Sequence, residues 1–109
     1  MPRNPSCRNV IKGSLEISVG RGRTGIFIGG DPQGLRSLAK TLNWLADVDQ
    51  EAYSGIPVGE RAHTHLHAGE PFAHLTQFSA NTEICRLDAK GTKEFPKYYT
   101  QSKRPRPRI

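Results

Sequence analysis

The strongest constraint on the fold of this chain is one helix pattern between residues 31 and 49. Asp31 followed by Pro32 is typical of a helix start, because aspartate caps the first turn and proline needs no hydrogen bond at the first helical position. Apolar residues then recur at helical spacing, and they are Leu35, Leu38, Ala39, Leu42, Leu45 and Ala46. This spacing predicts an amphipathic helix whose Leu–Ala stripe packs on a sheet.

Strand patterns lie on both sides of this helix. Residues 15–19 alternate apolar with polar side chains, and residues 26–28 follow a glycine-rich turn, so together they predict a β-hairpin. The turn matches G-x-G-x-x-G, but β-forming residues follow it where a dinucleotide site needs a helix. Further strands are predicted at about 61–67 and 82–88. The ββαββ order predicts an α+β two-layer sandwich, with a mainly antiparallel four-stranded sheet and the amphipathic helix packed on one face.

Charge divides the chain of 109 residues into one domain and two basic tails. The net charge is +6, but residues 1–12 supply three positive charges and residues 97–109 supply five, so the segment between them carries −2. Prolines in both tails predict disorder over 1–13 and 97–109, around a single domain at 14–96. The C-terminal tail gives one alternative function, which is nucleic-acid association through Arg104, Arg106 and Arg108.

The composition argues against several functional classes. The longest apolar stretch, around Phe27, is far below the roughly 18 residues of a membrane span, and no apolar segment follows the basic N-terminus as in a secretory signal. We therefore expect a cytoplasmic protein without a membrane partner. Cys7 and Cys85 form no CxxC pair and are expected to be reduced thiols. No G-x-S-x-G elbow is present, so no catalytic residue is assigned and an enzyme is not expected.

The sequence HTHLH places three histidines at every second position, and they are His63, His65 and His67. In a strand, residues with this spacing share one face. The opposite face would hold Ala62, Thr64 and Leu66. Since this second set is the apolar one, we expect Leu66 beneath the helix and the imidazoles on the uncovered face of the sheet.

Two alternatives are open for the side chains beside the histidines, and they depend on the last predicted strand. If Cys85 and Leu87 point to the core, Arg86 lies beside the histidines and the face attracts anionic groups. If Ile84 is buried instead, Glu83 and Cys85 join the histidines and complete a set of metal ligands. The first arrangement is favoured, because two apolar side chains bury more area than one.

A second surface is predicted around Trp44. At about 100° per residue, Trp44 falls on the helix side opposite Leu35 and therefore outside the core stripe. Either the C-terminal segment covers it through Phe95, Tyr98 and Tyr99, or it anchors a protein partner, as exposed tryptophans often do.

The run GGDPQGLRSLAKTLNWLAD, followed by a histidine-containing strand and a last strand with charged residues, resembles small bacterial α+β proteins predicted to be immunity partners of polymorphic toxins. The similarity covers about residues 15–90. It implies a non-enzymatic protein that binds another protein through the outer sheet face or through Trp44. A homodimer is compatible with this interpretation.

The function predicted first is therefore protein binding, through His63, His65, His67 and Arg86, with Trp44 as second surface and without a cofactor. The alternative is a metal-binding protein or small metalloenzyme, in which the three histidines and either Glu83 or Cys85 hold zinc. His74, in the following loop, would be able to complete such a site.

Overall fold

The computed structural model describes residues 11–20, 25–69 and 73–96. In chain order the main elements are β1 (Leu15–Val19), β2 (Ile26–Gly30), α1 (Pro32–Asp47), β3 (His63–Leu66) and β4 (Thr82–Cys85), with a short 3-10 helix at Gln50–Ala52. The mixed α+β class is confirmed. Within the described residues, α1 is neither long nor apolar enough to cross a membrane.

The predicted single four-stranded sheet is wrong, because β1–β2 and β3–β4 form two separate antiparallel pairs. An irregular segment occupies the edge of β1 where a further strand would pair. The N–H of Thr76 donates to the carbonyl of Leu15 at 2.9 Å, and that of Ala80 donates to Ile17 at 2.8 Å. The same segment reaches the end of the second hairpin, since the N–H of Leu75 donates to His67 at 3.0 Å.

The helix begins as its sequence predicts. Asp31 is the N-cap, and its Oδ1 accepts hydrogen bonds from the N–H groups of Gly34 at 2.7 Å and Ser14 at 3.1 Å. These backbone donors lower the pKa of the Asp31 carboxyl below its usual value. The first turn lies so close to β1 that a Cβ at Gly34 would overlap the Ser14 carbonyl. One carboxylate thus starts the helix and ties it to β1.

Among the described residues, the core consists of two clusters. The first contains Leu15, Ile17, Leu66 and Leu75, and the second contains Leu45, Ile56 and Ala62. Ile84 packs against both clusters, so it joins them from the β4 side.

The buried face of α1 differs from the predicted Leu–Ala stripe. Leu45 is buried as expected, but Leu35 and Leu42 are each 44% exposed, and Ser37 and Thr41 are buried in their place. Small side chains allow α1 to approach β1 closely. The Ser37 hydroxyl accepts a hydrogen bond from the N–H of Lys12 at 3.0 Å and donates one to the Lys12 carbonyl at 3.2 Å.

The position of Trp44 also follows from this difference between the observed and the predicted buried face of α1. It is half-buried and packs against the second cluster, so the expectation that it lies outside the core is wrong. Residues 11–13, predicted as the end of the N-terminal tail, contact the body of the protein, since Ile11 packs on the first cluster. The remainder of both predicted tails, with Arg104, Arg106, Arg108, Tyr98 and Tyr99, lies outside the described residues.

Candidate metal centre

The side chains of β3 point to the sides that the sequence predicts. His63 and His65 are exposed, whereas Thr64 is buried and Leu66 is 0% exposed within the first core cluster. His67 is half-buried just beyond the end of β3. The alternation of β3 therefore holds the first two imidazoles on the outer face of the hairpin.

The register of β4 decides between the two sequence-based alternatives. His63 lies opposite Cys85, Thr64 opposite Ile84 and His65 opposite Glu83. Glu83 and Cys85 thus share the histidine face, while Ile84 points to the core. The favoured expectation, with Cys85 in the core, is wrong because Ile84 fills the junction between the two clusters.

Arg86, expected beside the histidines, lies at the C-terminal end of α1 instead. Its guanidinium donates to the carbonyls of Leu45 at 3.0 Å and Val48 at 2.9 Å, which are among the groups that a helix end leaves without partners. It also forms a two-bond ion pair with Asp88, at 2.9 and 2.6 Å. This pair lowers the pKa of Asp88 and raises that of Arg86. Arg86 therefore joins β4 to the helix, a role that the sequence did not indicate.

A second brace at the hairpin base is Gln50. Its Oε1 accepts from the N–H of Ala62 at 2.7 Å, and its Nε2 donates to the carbonyl of Asp88 at 3.0 Å. The side chain is buried, and its bond to Ala62 is shielded from water. The base of the hairpin is thereby fixed from the side of the short 3-10 helix.

Three side chains on the exposed face of the hairpin form a candidate metal site. His63, His65 and Glu83 each offer one ligand atom, and these atoms lie within 4.8 Å of one another. The rings of His63 and His65 stand 5.1 Å apart and nearly perpendicular. Around a tetrahedral zinc ion with bonds of about 2 Å, ligand atoms lie roughly 3.3 Å apart. To reach that spacing, the ligand atoms would have to approach by up to about 1.5 Å through rotation of these exposed side chains.

Cys85 lies on the same face, opposite His63, but its thiol is turned away. Its Sγ donates to the carbonyl of Arg86 at 2.9 Å. Partial burial raises the pKa of this thiol, and the negative charge of Glu83 raises it further. The protonated form is thus favoured, which argues against a reactive cysteine.

The imidazole row continues past the strand to His67 and His74. The ring centroids of His65 and His67 are 6.2 Å apart, and those of His67 and His74 are 5.9 Å apart. His74 Nδ1 accepts from the backbone N–H of His67 at 2.9 Å, so this nitrogen is committed to fixing the loop. Burial lowers the pKa of His74, and His67 lowers it further. Neither residue belongs to the three-ligand cluster among the described residues.

No protein-family model, curated protein or solved structure gives a significant match to this chain. The functional interpretation therefore depends on the geometry of the hairpin itself. The likeness to toxin-immunity proteins and the nucleic-acid role of the C-terminal tail stay predictions.

Proposed function

We propose that this protein binds a transition-metal ion, zinc in the first place, through His63, His65 and Glu83. The observation that carries the proposal is the placement of three suitable ligand atoms within 4.8 Å on one face of the hairpin. Two imidazoles and a carboxylate are a known zinc donor set in sites that keep one coordination position open. The same set with open positions also suits ferrous iron.

The hairpin is well suited to hold these ligands in place. The donors alternate with Thr64, Leu66 and Ile84, which anchor both strands to the core. Because the anchors are fixed, only side-chain rotation remains to be restricted when an ion binds, which reduces the entropy cost of binding. All three donors are exposed, so the ion would exchange with solution and keep a position for water or another ligand.

A protein partner at the same face is the second proposal, and the exposure of His63 and His65 favours it. This was the function expected first from the sequence, and the toxin-immunity likeness belongs with it. Metal binding is the stronger proposal, since Arg86 is engaged at the helix end and Trp44 packs on the core. Interfaces usually depend on such aromatic and arginine anchors.

The direct test is calorimetric titration of the untagged full chain with Zn²⁺. We expect one site, with affinity reduced at least about tenfold by either His65→Ala or Glu83→Gln. Glu94→Gln is the matched control, because Glu94 is an exposed glutamate outside the cluster. A parallel anaerobic titration with Fe²⁺ decides which of the two ions is preferred.

Two results would contradict this proposal. The first is the absence of binding at millimolar Zn²⁺. The second is binding that His65→Ala and Glu83→Gln leave unchanged, because the ion would then be held elsewhere on the chain. X-ray absorption of the zinc complex adds an independent readout, with nitrogen and oxygen neighbours expected at about 2 Å.

A further inference from the structure

The β1–β2 hairpin has one edge without a pairing strand among the described residues. The N–H of Gly20 donates to the carbonyl of Gly25 at 2.8 Å, which sets the alternation of the antiparallel ladder. With the observed register, the backbone groups of Phe27 and Gly29 point toward β1, and those of Ile26 and Ile28 point to the opposite edge. β2 therefore presents a row of backbone donors and acceptors at its outer edge.

The two edges of the hairpin differ in the hydrogen bonds that they receive. The outer edge of β1 is covered, since Leu15 and Ile17 accept hydrogen bonds from Thr76 and Ala80. The Ser79 hydroxyl also accepts from the N–H of Ile17 at 3.0 Å. No comparable bonds reach Ile26 or Ile28 from the described residues.

The side chains of the hairpin near this edge are apolar and exposed. Val19, Ile26 and Ile28 lie on one face and are 73%, 70% and 54% exposed, and Phe27 on the other face is 37% exposed. β2 contains no charged residue and no proline. Natural edge strands commonly carry such residues because they prevent pairing with another chain.

We propose that two copies of this chain associate by antiparallel pairing of β2 with β2, which makes one four-stranded sheet across the dimer. The pairing is self-complementary, because a two-fold axis brings the backbone groups of Ile26 in one copy opposite those of Ile28 in the other. The apolar side chains of both copies then continue across the new sheet.

The available area suits a second copy. At their exposed fractions, Val19, Ile26, Phe27 and Ile28 present on the order of 450 Å² per copy, more than half of the roughly 800 Å² that each partner buries in a standard interface. The backbone of β2 adds to this area. Most of this area lies on the face of Val19, Ile26 and Ile28, and apolar patches of a few hundred Å² often mark interaction sites.

Sedimentation velocity of the full chain over a concentration series tests the proposal, with EDTA present so that no metal links two copies. We expect a concentration-dependent dimer, and Ile26→Lys is expected to weaken it at least about tenfold because it places a charged side chain against the apolar Ile28 of the other copy. Phe78→Lys is the matched control, since Phe78 is 77% exposed but lies outside the hairpin.

Amide hydrogen exchange identifies the edge itself. The amides of Phe27 and Gly29 should be protected at every concentration, whereas those of Ile26 and Ile28 should gain protection only as the dimer forms. A chain that stays monomeric at about 200 μM overturns the proposal. So does a dimer that Ile26→Lys leaves intact, or one in which the Ile26 and Ile28 amides exchange freely. None of these outcomes affects the zinc titration, which reports on the other hairpin.

Discussion

The two hairpins of this protein use their alternating patterns differently. In β3–β4 one face, with Thr64 and Leu66, packs on the core and the other face is open, so Leu66 is enclosed while His65 is exposed. In β1–β2 the paired residues Ile17 and Ile28 share one face, yet Ile17 is 7% exposed and Ile28 is 54% exposed. Alternation thus determines which side chains share a face, whereas the covering elements determine whether that face is buried.

The largest expected effect comes from comparing one buried and one exposed position of the two hairpins. Leu66→Ala should lower the free energy of unfolding by about 2–5 kcal/mol, because it leaves a cavity in the first core cluster. Ile28→Ala should cost less than about 1.5 kcal/mol in a chain kept monomeric by Ile26→Lys. Urea denaturation measures both, and equal costs would show that β2 is covered in the monomer.

Zinc should stabilise the two hairpins to different extents. At a free concentration of 100 times the dissociation constant, binding adds about 2.7 kcal/mol to the free energy of unfolding. At the same zinc concentration, the gain should fall by at least about 1.3 kcal/mol in His65→Ala and be kept in Glu94→Gln. Local protection by zinc should centre on the β3 and β4 amides, as measured by hydrogen exchange below the limit of global unfolding. Local protection of β1 and β2 alone would place the ion elsewhere.

The ion pair of Arg86 and Asp88 gives the second hairpin a pH dependence. Because the folded-state pKa of Asp88 lies below its usual value of 3.8, its contribution is present above about pH 4 and is lost as the pH falls through the lowered pKa. Arg86→Leu should cost about 1.5–3 kcal/mol near pH 7 and should flatten this acid-side loss. Urea midpoints between pH 2 and 7 measure the difference. An unchanged profile in Arg86→Leu would mean that another carboxylate dominates.

The smallest effect is expected at Leu42, on the exposed side of the helix. Leu42→Gln should change the free energy of unfolding by less than about 1 kcal/mol, since Leu42 is 44% exposed, whereas Leu45→Ala should cost about 2–5 kcal/mol. The pair tests which helix face packs on the sheets. A larger cost for Leu42→Gln would restore the Leu–Ala stripe as the buried face.

The local helix and strands could be predicted from the sequence, whereas their packing could not. Asp31 and Pro32 identify the helix start because capping is local chemistry. The facing of Ile84 was missed because summed apolar character favoured Cys85 and Leu87, whereas one large β-branched side chain fits the junction of two clusters. Counting apolar groups takes no account of the shape of the space to be filled.

The predictions of the buried helix face and of the sheet topology were wrong for related reasons. Ser37 and Thr41 are polar in sequence but bond to nearby backbone carbonyls, which makes them suitable for a close contact. The segment around Thr76 and Ala80 carries no strand pattern, yet its amides complete the edge of β1. Both features depend on tertiary partners that a local pattern does not contain.

The spacing of the side chains on the histidine face also depends on Gln50, which lies outside that face. Its amide accepts from Ala62, just before β3, and donates to Asp88, beyond the end of β4, so its oxygen and nitrogen are not interchangeable. Glutamate has the same shape but would direct an acceptor at the Asp88 carbonyl, which repels it. An exchange of a single donor atom would therefore loosen the base of the hairpin next to His63, the first of the candidate metal ligands.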